Sequence, residues 1–187
     1  MSSKIFFNNK WSDSLSKKIF TRKSLIDNND FKYSECNSKD IDHVVKSAKI
    51  GAKNNKKLSR YDISKYLKKI SIKIWFFASE VVKLKIDYKV SCEKNTYANI
   101  INEPVGIVAL IIPWNYPMVV TSERLPFILA AGNSIIIKPS EYASQSIIFL
   151  LKIINEISLP VGTINLVTGS RKVGQKLVEN DHVNMVS

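Results

Sequence analysis

Glu103-Pro104-Val105-Gly106-Ile107-Val108-Ala109-Leu110-Ile111-Ile112-Pro113-Trp114-Asn115-Tyr116-Pro117-Met118 opens the stretch that decides the fold, which runs on to Lys138-Pro139-Ser140-Glu141. Residues 105–112 form an almost unbroken apolar run rich in branched side chains, as expected of a strand buried on both faces. Pro113 ends it, because proline offers no N–H to a strand ladder. Residues 118–131 are long enough for a helix, and Gly132 stands where helices commonly stop. Residues 134–137 read as the next buried strand, cut off by Pro139. The result is one βαβ unit whose strand ends carry Trp114, Asn115, Lys138 and Glu141. In a parallel sheet, ligands bind at the carboxyl ends of the strands.

The pattern continues downstream. Residues 144–157 predict a helix apolar nearly all round, with Ser144 as its cap, and such a helix is expected to be buried between layers. A turn at 159–162, a third buried strand at 163–167, a helix at about 173–179 and a fourth strand at 183–186 follow. Strands alternating with helices predict an α/β fold, a parallel sheet with helices on both faces.

Upstream, residues 4–20 read as two short strands around an Asn8-Asn9-Lys10 turn, and 21–38 as loop with at most one strand. A helix starts at 38–42, capped by Ser38 or Asp40, with Ile41, Val44, Val45 and Ala48 on one face and Gly51 closing it. A second helix is predicted over 59–77, with Ile63, Tyr66, Leu67, Ile70 and Ile74 on one face. Extended pieces at 88–91 and 96–101, separated by Glu93-Lys94-Asn95, predict a hairpin.

A chain of 187 residues with 45% hydrophobic content can bury a proper core, and one domain plus an arm is the natural reading. The apolar segment Ile5-Phe6-Phe7 is too short for a signal peptide. The longest apolar stretch, 104–120, is interrupted by Gly106, Pro113, Asn115 and Pro117, whereas a spanning helix needs roughly 20 apolar residues. No membrane association and a cytoplasmic location are therefore expected. The net charge of +12 would suit nucleic acid, but the basic residues are scattered (Lys17, Lys18, Lys53, Lys56, Lys68, Lys73) without interleaved stacking aromatics. They read as solvated surface, and no nucleic-acid partner is expected. Cys36 and Cys92, like His43 and His182, stand in isolated contexts without metal-ligand spacing, so no metal is expected.

Three phrases carry a family resemblance: Pro113-Trp114-Asn115-Tyr116-Pro117-Met118, Leu129-Ala130-Ala131-Gly132-Asn133 and Lys138-Pro139-Ser140-Glu141. In this order and spacing they resemble the aldehyde dehydrogenase superfamily, and residues 114–118 are nearest in wording to its betaine-aldehyde and ω-amino-aldehyde members. The resemblance covers 4–20 and roughly 40–187. It implies a partial doubly wound, Rossmann-like parallel sheet, with residues 1–187 an incomplete N-terminal, NAD-binding domain. Within it, about 83–101 would be an arm pairing with a neighbouring subunit, and about 104–187 the βαβ core. Three departures stand out: the Asn-Pro-Ala-Thr-Gly phrase is missing from 21–38, the outer helical layer is shortened before Trp75, and Ser170-Arg171-Lys172 replaces a Gly-x-Gly pattern after Gly169.

By residue type alone, Asn115 reads either as a turn asparagine capping its own backbone or as an amide donor to a developing oxyanion. The resemblance implies the second role, for the thiohemiacetal formed from an aldehyde substrate. It also implies that Ile111, Ile112, Pro113 and Trp114 line the dinucleotide crevice, with Gly169 near the adenine. Lys138, Ser140 and Glu141 fall at the adenosine ribose. A carboxylate there accepts ribose hydroxyls and repels a 2′-phosphate, so Glu141 favours NAD over NADP. Outside the family context, Lys138 and Glu141 read equally as a solvent-exposed ion pair.

The family's cysteine nucleophile, glutamate base and Phe-Thr-Gly-Ser loop follow later in its members, and Cys36 and Cys92 match neither the position nor the context of the nucleophile. The expectation is an NAD-dependent oxidoreductase sequence truncated before its catalytic Cys and Glu, inactive toward an aldehyde by itself. Two readings follow: half of an enzyme completed by a second polypeptide, with homo-oligomerisation also open, or a non-catalytic remnant that binds nucleotide.

Overall fold

The computed structural model describes residues 2–23, 30–69, 73–84, 87–93 and 96–187. The chain opens with β1 (Ser2–Ser3), then β2 (Ile5–Phe7) and β3 (Lys10–Ser12), an antiparallel hairpin pairing Phe6 with Trp11. Its two turn residues, Asn8 and Asn9, both have positive φ (50° and 57°), the conformation a tight hairpin needs and asparagine tolerates. β4 (Ile19–Lys23) and β5 (Asp30–Ser34) pair antiparallel, and β1 lies parallel to β5, giving a sheet ordered β1-β5-β4. The expectation of loop with at most one strand over 21–38 is thus corrected. Phe20 and Tyr33, opposite each other on the two strands, stack at 5.3 Å and supply an apolar pair that the polar composition hid.

Helix α1 (Ser38–Asn55) begins at a capping box in which the Asn37 side chain accepts the Asp40 N–H while the Asp40 carboxylate accepts the Asn37 N–H. The cap is therefore Asn37, in place of Ser38 or Asp40. Asp40 is buried, and it also accepts from Ser14 Oγ (2.6 Å) and Leu15 N (2.7 Å). Gly51 does not close α1; it lies inside the helix, where a Cβ would collide with the Gly162 carbonyl.

In place of one helix over 59–77 there are two, α2 (Arg60–Lys69) and α3 (Lys73–Val81). Buried positions on α2 are Ile63, Ser64 and Leu67, whereas beyond the junction they are Trp75, Ala78, Ser79 and Val82. Ile63 and Leu67, on the expected face, are buried. Ile70 lies outside the described residues, as does the side chain of Ile74. The hairpin expected from the extended pieces at 88–91 and 96–101 is present, β6 (Tyr88–Glu93) and β7 (Thr96–Ile100) running antiparallel with Val90 opposite Ala98.

The βαβ unit follows as read: β8 (Ile107–Ile112), α4 (Pro117–Ala130) and β9 (Ser134–Pro139). Gly132 takes φ +81° where α4 ends. Then come α5 (Ser144–Asn155), β10 (Ile164–Leu166), α6 (Arg171–Val178) and β11 (Met185–Val186). Ser144 is the first residue of α5 and not its cap; its hydroxyl donates to the Ser140 carbonyl at 2.8 Å. Nor is α5 buried all round, since Phe149 is 63% exposed and Ile153 lies on the same outer side.

The main sheet has the order β11-β8-β9-β10-β2-β3. Its first four strands are parallel, and β2 joins β10 antiparallel. Alternation along the strands splits the core by face. Leu110, Ile112, Ile135, Ile137, Ile164 and Leu166 pack against α2 to α5, with Trp75 wholly buried there. Ile107, Ala109, Ile136 and Val167 point the other way, onto α1 and α6. Helices on both faces of a parallel sheet make this an α/β, Rossmann-like arrangement. No helix among the described residues is long and apolar enough to cross a membrane.

Candidate functional site

The parallel register sets Ile111 beside Lys138 and Ile112 beside Pro139, so β8 and β9 end together. Ser140 N–H donates to the Ile112 carbonyl at 2.8 Å and ties the two ends. Ile112 is buried and Ile111 half-buried. Beyond Pro113 the chain leaves the sheet, and the next three residues face solvent, Trp114 with 68% of its surface exposed. The Asn115 amide makes no hydrogen bond with the described residues, so it does not cap its own turn. Pro117 starts α4 with its fixed φ, and Thr121 Oγ1 donates to the Pro117 carbonyl at 2.7 Å.

Lys138 differs from the exposed pair that its residue type allowed. It is 5% exposed, with Nζ 3.7 Å from Glu141 Oε2. Burial holds its ammonium below the usual lysine range, and the Glu141 and Glu35 carboxylates push back only in part. The Ser140 hydroxyl accepts the Tyr142 N–H at 3.3 Å, and the Ser140 carbonyl accepts Ala143 N–H at 3.1 Å, forming the turn that presents Glu141. Tyr142 is covered by the Arg22 guanidinium at 4.7 Å, so the N-terminal sheet backs this loop.

Gly169 has φ +144°, and a Cβ there would run into Val173 and come within 3.2 Å of Glu35 Oε2. Gly174, one turn into α6, lies against Lys138: a Cβ would meet Lys138 Cδ at 3.9 Å. The structure thus brings Ile111, Ile112, Pro113, Trp114, Asn115, Lys138, Ser140 and Glu141 to one edge of the sheet, with Gly169 at the exit from β10 beside them. Glu35 was missed by sequence reasoning. It lies in the polar segment 21–38, and no periodicity or spacing ties it to residues 169–174. Among the described residues no group of three His, Cys, Asp or Glu side chains could hold a metal.

Cys36 is buried, its N–H donating to the Thr168 carbonyl at 3.2 Å, and burial pushes its thiol up to about 12. Cys92 is exposed on β6, in the hairpin. A thiol that titrates near 12 is protonated at neutral pH and is a poor nucleophile.

Known proteins share both the local sequence and the overall shape. The NADP/NAD-dependent aldehyde dehydrogenase PuuC of Escherichia coli is 43% identical over 91 residues, which is 48% of this chain and 18% of that protein. Aminoaldehyde dehydrogenase 2 of Zea mays is 41% identical over 95 residues, covering 50% of this chain and 19% of its own length. Two solved structures show the same fold over the whole chain. The NAD-dependent aldehyde dehydrogenase of Sinorhizobium meliloti superposes with a TM-score of 0.90 at 23% identity, over 44% of its length. An NAD+ complex of the Bacillus cereus aldehyde dehydrogenase gives 0.92 at 21% identity, over 45%. The chain thus spans about a fifth of these curated relatives and less than half of these solved ones. The model of the aldehyde dehydrogenase family matches residues 71–187, which include both strand ends and the loop between them, and the chain belongs to that family.

Proposed function

We propose that these residues form the ribose and oxyanion side of an NAD-dependent aldehyde dehydrogenase active site, one that oxidises a small aldehyde to a carboxylic acid. The observation that carries this reading is the buried Lys138 paired with the half-buried Glu141 after β9, beside a β8 end whose Asn115 amide is free of the described residues. The donor set suits an adenosine ribose: Glu141 accepts from the hydroxyls, Lys138 donates to them, and Gly174 leaves the Lys138 stem uncrowded. Ile111, Ile112, Pro113 and Trp114 form the apolar wall, Ser140 holds the turn, and Gly169 keeps the adenine side open. When bound, the dinucleotide supplies the hydride acceptor. Asn115 donates its amide N–H to the oxygen that gains negative charge when a nucleophile adds to the aldehyde, a stabilisation worth about 3 kcal/mol in comparable oxyanion sites.

In this reading the attacking thiolate comes from outside these 187 residues, because Cys36 is buried and protonated and Cys92 lies in the hairpin. The same observation supports the second reading, a nucleotide-binding piece without turnover. Titration with NAD, followed by tryptophan fluorescence, tests the site. Quenching that disappears in Trp114→Phe is expected, and no response at saturating concentrations overturns the reading. Incubating the chain with NAD and an aminoaldehyde separates the two. No NADH is expected from these residues alone, and its formation would rule out the piece without turnover.

A further inference from the structure

We propose that Glu35 is a second carboxylate of the ribose site and helps to set the choice between NAD and NADP, an inference that rests on the dinucleotide reading above. Glu35 lies outside the residues matched by the family and enters the site from the end of β5. Its carboxylate is held in place: both oxygens accept the Ser170 N–H (3.2 and 3.0 Å), and Oε1 also accepts the Ser170 hydroxyl at 2.6 Å. These bonds seat it over the start of α6, 3.2 Å from where a Gly169 Cβ would be.

The same turn of α6 carries Gly174 against Lys138, so Glu35 and Lys138 flank it, and Glu141 lies 3.7 Å from Lys138. Lys138 senses both carboxylates. One buried cation thus serves two carboxylates, Glu141 in contact and Glu35 from the neighbouring turn, which leaves an excess of negative charge where a 2′-phosphate would arrive. A phosphate brings roughly two further negative charges into the same space. Glu35 also lines a cleft that is otherwise basic, with Lys18, Lys172 and Lys176. Glu35 is thus the acidic residue shared by that cleft and the Gly169–Ser170 turn. Without its charge, the cleft becomes a phosphate acceptor.

The experiment uses the full 187-residue chain and titrates NAD and NADP separately, at low ionic strength, in wild type, Glu35→Gln, Glu35→Ser and Ser170→Ala. Loss of one carboxylate charge near the phosphate should move the NADP-to-NAD affinity ratio toward NADP by about tenfold. Both Glu35 variants should show it, so that loss of folding in one leaves the other to decide. Ser170→Ala loosens the turn but keeps the charge and should leave the ratio as in wild type. An unchanged ratio in the Glu35 variants, with NAD still bound, overturns this inference alone. An equal shift in Ser170→Ala does the same, since the effect would belong to the turn. Failure of wild type to bind either dinucleotide overturns the dinucleotide reading, and this inference with it.

Discussion

Lys138 is the residue at which burial and charge oppose each other most directly. Its ammonium is 5% exposed and has one carboxylate at 3.7 Å, an arrangement that gains little stability once desolvation is counted. Lys138→Met is expected to leave the melting temperature equal to or above that of wild type while weakening NAD by about tenfold or more, the cost of one charged hydrogen bond. A lower melting temperature with unchanged NAD affinity would reverse that assignment. The pH dependence has a definite sign. Lys138 titrates below 10.5 in the folded chain, so the unfolded chain binds the extra proton in the window just below 10.5, and this group makes stability rise with pH there. Cys36 acts oppositely. Its thiol moves from 9.0 to about 12, the folded chain keeps the proton longer, and stability falls as pH rises through that range. Cys36→Ala should flatten the alkaline loss seen in thermal unfolding. At pH near 8, an alkylating reagent should label Cys92 quickly and Cys36 only after denaturant is added.

At the scale of elements, α1 is held by two devices of different legibility. The capping box at its start uses Asn37 and Asp40, and Asp40 also fastens Ser14 and Leu15 from the N-terminal segment. Asn37→Ala should cost about 1 kcal/mol, the usual worth of such a cap, lowering the melting temperature by about 2–4 °C for a domain of this size. The second device is the close approach of Gly51 to Gly162. Gly162 has φ +80°, and its carbonyl accepts from Ser134 Oγ and Asn165 Nδ2 at 2.7 and 2.8 Å. A methyl group on Gly51 has no room beside that carbonyl. Gly51→Ala is therefore expected to lose about 3 kcal/mol, at the upper end of overpacking costs, measured by urea unfolding. A glycine in a helical pattern reads as a stop signal from sequence, and only the neighbouring backbone shows that it is a contact. The separation of α2 from α3 was likewise not legible. The spacing of Ile63, Leu67, Ile70 and Ile74 suits one helix, whereas the chain forms α2 and α3 as separate helices, with Trp75 buried on the second.

For the molecule as a whole, the six-stranded sheet separates two cores, and the β6–β7 hairpin lies outside it as a two-stranded sheet of its own. Tyr88, Val90, Tyr97 and Ile100 are all exposed there, along both strands. Exposed apolar strands invite edge pairing. We propose that the chain self-associates through this hairpin, as the family resemblance implies for the arm. Tyr97→Lys should shift sedimentation toward the monomer without changing the melting profile at low concentration, and an unchanged sedimentation profile would place the contact elsewhere.

The parallel order β8, β9, β10 and the strand-end positions of Asn115, Lys138 and Glu141 were legible because they rest on local signals: branched apolar runs, prolines at their ends and a glycine after α4. Such runs constrain the backbone whatever surrounds them. Three features were decided only by the tertiary structure: the antiparallel addition of β2 and β3 to the sheet, the burial of Lys138, and the arrival of Glu35 at Ser170. Each depends on contacts between residues far apart in the chain, Leu166 with Phe6 in the sheet and Ser170 with Glu35 at the site. Burial and charge pairing are properties of the space around a side chain, and the linear pattern around Glu35 does not contain them.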